Sequence, residues 1–391
     1  MTSLADYMTP ERSVPTGAML VGRIWRPDAD GPSVVKIEGR AVIDISRGYP
    51  TMRDLCETGD PAAAASAAQG ERAGALADIL ANTPAAARDS SRPWLLAPID
   101  LQAIKAAGVT FAASMLERVI EERARGNPQA AAEIRASIRE LIGGDLSKLK
   151  PGSPEAMQLK QVLTAKGMWS QYLEVGIGPD AEIFTKSQVM AAVGHGAEAG
   201  LNPISNWNNP EPEVVLVVSS AGRIAGASLG NDVNLRDVEG RSALLLGKAK
   251  DNNASCAIGP FIRLFDASFT LDHVRRMELS LKVEGEDGYV LNGSSNMAGI
   301  SRDPADLVGQ MLNRNHQYPD GAVLFLGTVF APVEDRDVKG QGFTHKIGDI
   351  VTVASRELGR LANRMVASNV AEPWTFGASH LMRNLAGRGL I

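Results

Sequence analysis

Three acidic residues with a spacing suited to metal chemistry lie near the middle of the 391-residue chain. Glu211 and Glu213 precede the apolar run at 214–218, and Asp232 follows further along. Alternate residues of a strand point to the same face, so the two glutamates would present their carboxylates side by side. A cation or a raised pKa stabilises such like charges, and oxygen ligands alone favour Mg²⁺, Mn²⁺ or Ca²⁺. A hairpin at 223–230 would bring Asp232 beside them, although the glutamates could equally flank a solvent-exposed strand entry.

The order of the motifs around these residues resembles that of the fumarylacetoacetate hydrolase superfamily, over roughly residues 95 to 391. The motifs are Glu211-x-Glu213, then Gly-Asn-Asp232-x-Asn-x-Arg236-Asp237, then Ala249-Lys250-Asp251 before Ile258-Gly259-Pro260. The resemblance implies that Glu211, Glu213 and Asp232 hold one divalent metal, with Mg²⁺ expected and Mn²⁺ or Ca²⁺ as alternatives. It also implies that Lys250 lies close to the substrate and that Thr328, in a Gly-Thr turn, binds the substrate carboxylate.

A second family motif is only partly present. Hydrolases of the family carry a histidine and, three residues later, a glutamate that together activate water. This chain has Ser114 in place of the histidine and keeps the glutamate as Glu117. Serine cannot accept a proton near neutral pH, whereas Glu117 alone could still act as a general acid or base. Glu239 stands where some hydrolases have a glutamine that touches the substrate, but a helix-surface glutamate is an equally good interpretation.

The missing histidine, the chain length and the C-terminal sequence are similar to those of the bacterial 2-keto-3-deoxypentonate dehydratases of non-phosphorylative pentose oxidation. The resemblance implies a Mg²⁺-dependent hydro-lyase that converts 2-keto-3-deoxypentonate, a small sugar acid, to the semialdehyde of 2-oxoglutarate. Lys250 or Glu117 would remove a C3 proton, and Glu117 would protonate the leaving C4 hydroxyl. Ser114, Lys186 and Thr328 would bind the substrate, although Lys186 could instead cap a strand end. Three alternatives stay open: an aldonate dehydratase acting one step earlier, for example on D-arabinonate, a C–C hydrolase of 2,4-dioxo acids, and a catalytically silent binding protein.

The elements that position these residues follow from hydrophobic periodicity. Short alternating or β-branched runs predict strands at 18–25, 34–37, 40–45, 214–218, 242–246, 258–264, 277–283, 323–330 and 350–354. Apolar residues at spacings of three and four predict a helix at 111–125. We therefore predict an α+β protein with a small N-terminal β-rich domain at 1–95 and a catalytic domain at 96–391. The latter would be a mixed β-sandwich or β-roll of the fumarylacetoacetate hydrolase type, with a helical insertion at about 118–170.

The composition narrows the possible partners and compartment. A hydrophobic fraction of 44%, a charged fraction of 22% and a net charge of -5 fit a globular protein and give no basic surface for nucleic acid or an anionic membrane. Two cysteines make no disulfide framework. We see neither a basic, apolar signal segment at the start nor a membrane-spanning run, so we expect a cytoplasmic protein. Family resemblance further implies a homodimer or a larger homo-oligomer.

Overall fold

The computed structural model describes residues 3–125, 127, 149–165, 167, 169–330, 332, 334–338 and 342–391, except for the side chains at 112–114, 116, 117 and 121. Residues 128–148 of the predicted helical insertion lie outside this range. Two predicted site residues, Ser114 and Glu117, belong to a described helix, but their side chains are among those outside the description.

Eighteen strands are labelled here in chain order. They are β1 Leu20–Arg26, β2 Gly31–Glu38, β3 Ala41–Asp44, β4 Glu71–Ala75, β5 Trp94–Leu95, β6 Ala103–Gly108, β7 Glu182–Ser187, β8 Glu198–Leu201, β9 Asn208–Asn209, β10 Pro212–Val218, β11 Ile224–Asp232, β12 Asn234–Leu235, β13 Cys256–Leu264, β14 Glu278–Glu284, β15 Val290–Asn296, β16 Ala322–Phe325, β17 Ile350–Ser355 and β18 Gly359–Ala367.

Short helices connect most of these strands. The α-helices of the described residues are Pro10–Ser13, Met52–Glu57, Pro61–Ala67, Leu76–Ala81, Ala112–Ala124, Pro154–Ala165, Gln171–Ile177, Arg236–Glu239, Leu246–Lys250, Leu271–Val274, Pro304–Met311 and Ala378–Gly387. None of the helices in the described part of the chain combines the length and apolar character that crossing a bilayer requires.

The strands form two large sheets. The strand order of the first sheet is β4-β3-β2-β1-β13-β11-β10-β16-β6-β7, with β5 paired to β1. The strand order of the second sheet is β15-β14-β17-β18-β8. Most pairs are antiparallel, but β16 pairs with β6 and β18 with β8 in parallel, so both sheets are mixed. Strands β1 to β4 extend the same sheet as β10 and β11. The division into domains at residue 95 stays a prediction.

The strand β10 contributes alternate apolar side chains to two hydrophobic cores. Val214, Leu216 and Val218 pack in a cluster with Leu281 and Val353 of the second sheet. The alternate residues Val215 and Val217 pack instead in a cluster with the helices Met52–Glu57 and Pro61–Ala67. A strand covered on both faces has a continuous apolar sequence, as this one does. The α+β class with packed mixed sheets, predicted from the sequence, is confirmed.

The strand predicted at 242–246 is wrong. That segment is a 3-10 turn, Ala243–Leu245, followed by the helix Leu246–Lys250. The Ser242 hydroxyl accepts a hydrogen bond from the Leu244 amide at 3.2 Å, and Leu244 is 95% exposed. A run of five mostly apolar residues is too short to distinguish a strand from a capped turn, and serine side chains also favour helix starts.

Candidate active site

The three predicted metal ligands meet at one end of the β10–β11 hairpin. The antiparallel register places Pro212 opposite Asn231, so Glu211 and Glu213 lie next to Asp232. The Asp232 amide donates to the Glu211 carbonyl at 3.0 Å, and the Asn231 side chain accepts from the Glu211 amide at 3.0 Å. These two hydrogen bonds, one between backbone groups and one to the Asn231 side chain, fix the relative positions of the acidic residues.

The carboxylates of this triad converge in the protein interior. Ligand atoms of Glu211, Glu213 and Asp232 all lie within 4.8 Å of one another, and the residues are only 2%, 1% and 1% exposed. Three buried carboxylates offer hard oxygen donors at a separation that one divalent cation could bridge. The donor set therefore fits Mg²⁺, and the solvent-exposed interpretation of the two glutamates is wrong.

Two buried lysines neutralise part of this charge. Lys250 ends the helix Leu246–Lys250, and its Nζ lies 2.5 Å from Glu211 Oε2 and 3.0 Å from Asp232 Oδ2. Lys186, on β7, is 0% exposed and places its Nζ 2.9 Å from Asp232 Oδ1 while also donating to the Lys250 carbonyl. Burial lowers the pKa of Lys250, but the Asp232 and Glu211 charges outweigh it and raise that pKa well above the usual lysine value. Lys250 is therefore an ammonium group here.

The two glutamates of the triad differ in protonation. Burial raises the pKa of Glu211, but Lys250 and Arg118 more than offset it and lower that pKa to about 2. Burial and the charges of Asp232 and Glu211 raise the pKa of Glu213 well above its usual range. Glu211 thus favours the ionised form, whereas its buried acidic surroundings shift Glu213 toward the protonated form.

The predicted Gly-Thr turn holds Glu213. The Gly327 amide donates to Glu213 Oε2 at 2.7 Å, and the Thr328 hydroxyl donates to Oε1 at 3.3 Å. Gly327 has a φ of +98°, and a Cβ there would lie 1.9 Å from the Thr110 hydroxyl oxygen. Only glycine fits both constraints, so this turn is built to bring its amide onto the carboxylate.

Three further charged residues line the cavity: Arg118, Glu182 and Glu239. The sequence analysis identified neither Arg118 nor Glu182 as a site residue. The Arg118 guanidinium contacts Glu211 and lies 2.9 Å from Glu239 Oε2. Glu239 is 5% exposed, so the interpretation as a helix-surface glutamate is wrong. Burial and the charge of Glu239 raise the pKa of Glu182 to about 7, although Arg118 and Lys250 act in the opposite direction.

The position of Glu182 could have been inferred from strand periodicity. Glu182, Phe184 and Lys186 alternate along β7, so they share one face of the strand. Glu182 and Phe184 line the cavity, and the Nζ of Lys186 reaches Asp232 behind it. A predicted site lysine thus pointed to a glutamate four residues earlier.

The cavity next to the triad is small, with a volume of about 20 Å³. That volume is room for about one water molecule. The structure therefore brings together Glu211, Glu213, Asp232, Lys250 and Thr328 around one cavity. Their individual roles stay predictions, as do those of Ser114 and Glu117. The wall of the described residues consists of Ala107, Gly108, Val109, Arg118, Glu182, Phe184, Glu211, Glu213, Asp232, Glu239, Lys250 and Thr328.

Two curated proteins are similar to part of this chain. A 2-dehydro-3-deoxy-D-arabinonate dehydratase from Saccharolobus solfataricus is 32% identical over 183 residues, which are 46% of this chain and 57% of that protein. A probable 2-keto-3-deoxyxylonate dehydratase from Haloferax volcanii is 28% identical over 196 residues, or 50% of this chain and 64% of that protein. The chain thus matches about three fifths of the length of these relatives.

Comparison with solved structures supports the fold. The structure of 2-keto-3-deoxy-D-arabinonate dehydratase complexed with magnesium and 2,5-dioxopentanoate superposes with a TM-score of 0.60 and 19% identity, covering 89% of this chain and 99% of that one. Residues 178–366 match the family model for the C-terminal domain of fumarylacetoacetate hydrolase. That range contains all three carboxylates of the triad together with Lys250 and Thr328. Residues 178–366 of this chain are therefore similar to the fumarylacetoacetate hydrolase C-terminal family.

Proposed function

We propose that this protein is a Mg²⁺-dependent dehydratase that removes water from a 2-keto-3-deoxypentonate and yields 2,5-dioxopentanoate, the semialdehyde of 2-oxoglutarate. The observation that carries the proposal is the buried triad of Glu211, Glu213 and Asp232, with ligand atoms within 4.8 Å of one another beside Lys250. The names of both curated relatives, which are dehydratases of 2-keto-3-deoxy sugar acids, support the choice of substrate.

Different parts of the site would bind the 2-oxo end and the hydroxyl end of such a substrate. A magnesium ion held by the three carboxylates would polarise the 2-oxo group and acidify the C3 protons. The remaining wall of the described cavity is partly apolar, at Ala107, Val109 and Phe184, and partly charged. The charged part would hydrogen-bond the hydroxyl groups at C4 and C5.

Lys250 is the described residue best placed for the first proton transfer. Its ammonium contacts both Glu211 and Asp232, whose charges keep it protonated. Lys250 can accept the C3 proton only after its ammonium group has released a proton to solvent, and binding of Glu211 and Asp232 to a metal would favour that release because the two carboxylates would then attract the ammonium less. Glu117 remains our proposed acid for the leaving C4 hydroxyl.

Lys186 and Thr328 act on the triad more directly than on the substrate. Lys186 is not part of the cavity wall, and its ammonium holds Asp232 Oδ1 at 2.9 Å. Thr328 lines the cavity while its hydroxyl donates to Glu213. We propose that Lys186 positions Asp232 and that Thr328 also contacts the substrate carboxylate.

The proposal is tested by incubating metal-stripped protein, with and without Mg²⁺, with 2-keto-3-deoxypentonates of both C4 configurations. Parent pentonates and a 2,4-dioxo acid are tested in parallel, and products are identified by mass and NMR. Formation of 2,5-dioxopentanoate only with Mg²⁺ supports the proposal. Turnover of a pentonate instead would place the protein one step earlier, and release of pyruvate from the dioxo acid would make it a hydrolase.

A matched pair of variants distinguishes the loss of a triad carboxylate from the general effect of replacing an aspartate. Asp232→Asn removes a buried ligand charge, whereas Asp272→Asn removes an exposed one on the helix Leu271–Val274. We expect the first variant to lose turnover and Mg²⁺ binding and the second to keep both. Full activity of Asp232→Asn at limiting Mg²⁺ would contradict the ligand assignment.

Location and assembly are part of the same proposal. Both cysteines, Cys56 and Cys256, are free and buried, as expected for a reducing compartment, and we propose a cytoplasmic enzyme. We also propose a homodimer or larger homo-oligomer, which light scattering on purified protein would test.

A further inference from the structure

A second cavity lies on one face of the sheet β15-β14-β17-β18-β8, and the described residues that line it differ from those around the triad. Its volume is about 510 Å³, within the range of roughly 300–1,000 Å³ typical of small-molecule sites. Leu281 of β14 and Val353 of β17 pack in the core between the two sheets. Because side chains alternate along a strand, their neighbours Lys282 and Thr352 point to the other face, where they line this cavity. The two cavities are therefore separate sites.

The register of four strands places polar side chains together at this second cavity. Across β15, β14, β17 and β18 it forms two rows of three lining residues each, Asn292–Lys282–Thr352 and Ser280–Ala354–Arg360. Residues directly opposite each other in neighbouring strands have their side chains on the same face of the sheet. The small side chain of Ala354 leaves space between the two longer ones of its row. The sheet thus brings a lysine, an arginine, two hydroxyl groups and an amide to one depression.

The N-terminal segment adds a second arginine to the cavity. Tyr7 and Arg12 line it, and the Tyr7 hydroxyl donates to Glu284 of β14, which also pairs with Lys282 at 2.7 Å. The guanidinium carbons of Arg12 and Arg360 lie 5.8 and 5.5 Å from the centroid of the Tyr7 ring. The separation of the two guanidinium groups therefore cannot exceed the sum of these distances, so both are within reach of one small ligand.

The cavity has an excess of positive charge. Its described wall contains three cationic side chains but a single carboxylate, Glu11, which pairs with Arg40 at 3.2 Å. Among the described residues, neither Arg12 nor Arg360 has a carboxylate partner. Arg12 donates only to a backbone carbonyl, that of Asp6, at 2.9 Å. Guanidinium groups are suited to bind carboxylates and phosphates through parallel hydrogen bonds, so the wall favours an anionic ligand.

Two buried polar atoms at the cavity, Thr352 Oγ1 and Arg360 Nε, have no hydrogen-bond partner among the described residues. Thr352 is only 4% exposed. Burial and the Glu284 carboxylate raise the pKa of Tyr7, and the nearby Thr352 hydroxyl offsets this only in part. Thr352 thus lies close to Tyr7 without forming a hydrogen bond to it. Buried polar groups are normally hydrogen-bonded, and a ligand with acceptor oxygens would supply the partners that these two donors lack.

We propose that this cavity is a second binding site, which takes a small dianion: a short dicarboxylate or inorganic phosphate. Arg12 and Arg360 bind its acidic groups, the Thr352 hydroxyl and the Asn292 amide donate hydrogen bonds to its oxygens, and Lys282 adds positive charge. The proposal does not depend on the proposed reaction, because the cavity shares no described residue with the wall around the triad.

Calorimetric titration of the full chain at constant ionic strength tests the proposal, with glutarate, inorganic phosphate and acetate as probes. Each titration is run with Mg²⁺ and in chelator, because an anion bound through a metal at the triad would need the ion. Arg360→Gln removes a guanidinium group from the cavity. Ser280→Asp adds a negative charge at an exposed position of the wall and removes no buried group. The matched control is Arg364→Gln, an arginine of the same strand that is 44% exposed and pairs with Glu286.

We expect glutarate, phosphate or both to bind the wild type at one saturable site, equally with Mg²⁺ and in chelator, and more tightly than acetate. Arg360→Gln and Ser280→Asp should weaken this binding about tenfold to a hundredfold, the effect of losing a hydrogen bond to a charged group. Arg364→Gln should leave it unchanged, and the preferred probe identifies the ligand as a dicarboxylate or a phosphate. Should Arg360→Gln fail to fold, Ser280→Asp decides.

Three results would overturn the proposal. The first is the absence of saturable binding of either dianion to the wild type, and the second is binding that Ser280→Asp leaves unchanged. The third is binding that occurs only with Mg²⁺, since the anion would then lie at the triad.

Discussion

Replacing Lys250 by methionine tests whether the triad is a metal site held together by a buried ammonium group. Lys250 Nζ lies 2.5 Å from Glu211 and 3.0 Å from Asp232, and its side chain is 3% exposed. At an effective dielectric constant of about 20, each contact corresponds to an attraction of roughly 6 kcal/mol, most of which offsets desolvation. Removing one partner of such a network leaves buried charge uncompensated and costs about 3–5 kcal/mol.

We expect the metal-free Lys250→Met variant to lose free energy of unfolding toward the lower end of that range, because Arg118 and Lys186 still contact the two carboxylates. The side chain keeps its length, so packing changes little. Because the folded pKa of Lys250 is raised, the stabilisation is fully present below the unfolded pKa and is lost only as pH rises through the folded value. The measured loss should therefore be the same at pH 6 and pH 8.

Urea denaturation of wild type and variant, each in chelator and in excess Mg²⁺, measures both effects. An ion at 100 times its Kd stabilises the folded state by about 2.7 kcal/mol. Since the variant has lost the ammonium that competes for Glu211 and Asp232, Mg²⁺ should stabilise it more than it stabilises the wild type.

The control for this experiment is Lys282→Met, which removes a lysine that pairs with Glu284 at 2.7 Å but is 40% exposed. Such a surface pair contributes about 0–1 kcal/mol. Equal losses for the two variants in chelator would refute the buried network. An Mg²⁺ effect no larger than in wild type would refute the competition between Lys250 and the metal, and no Mg²⁺ effect in either protein would refute the triad as a metal site.

Four further outcomes are expected. Glu213→Gln should fold as well as wild type without metal, because glutamine removes a negative charge that burial and the charges of Asp232 and Glu211 disfavour, but calorimetry should show weaker Mg²⁺ binding and assays no turnover. Glu117→Gln should keep substrate binding, measured by titration, while the rate falls by about two to four powers of ten; a rate near wild type would remove it from the mechanism. Gly108→Ala should lower turnover and preserve Mg²⁺ affinity, since the new Cβ would displace the Glu182 carboxyl group, and an unchanged rate would contradict that placement. Burial lowers the pKa of His195 to about 3. Its stabilising contribution is therefore present above pH 6.5 and is lost as pH falls toward 3, by about 1.4 kcal/mol per pH unit. In denaturation curves, the free energy of unfolding of His195→Gln should fall less steeply with decreasing pH than that of the wild type.

The hairpin that carries the triad was predictable because its signals are local. The apolar run after Glu213 gave β10, the glycine-rich return gave β11, and antiparallel pairing then required Asp232 to approach the glutamates. Turn 327–328 was found only through family resemblance, because the bond from the Gly327 amide to Glu213 joins distant parts of the chain. Local periodicity carries no information on such a contact.

The sequence analysis did not identify Arg118 and Glu182 as site residues, because only the tertiary structure brings them to the cavity. Arg118 lies on the helix Ala112–Ala124, whose apolar spacing was recognised, but its partners Glu211 and Glu239 come from other elements. Glu182 lies on a strand that was not among those predicted, although the lysine at its far end was considered. A charged residue gains a functional meaning only when the sheet order places it at the cavity, and β7 reaches the site by pairing with β6, a strand distant in sequence.

The buried charges of the site contribute little to the stability of the fold, which indicates that they serve a function. A buried group of ions contributes less to stability than well-packed apolar residues of similar volume, because the cost of desolvation offsets most of the attraction. The hairpin β10–β11 nevertheless ends in three acidic residues, directly beside a run of five apolar ones that is fully buried. Lys186, Lys250 and Arg118 limit the repulsion without removing it, since burial and the charges of Asp232 and Glu211 still raise the pKa of Glu213 well above its usual range. An arrangement that is unfavourable for the metal-free protein is explained if a divalent cation and an anionic substrate complete it, which is why the metal dependence of stability discriminates more sharply than activity alone.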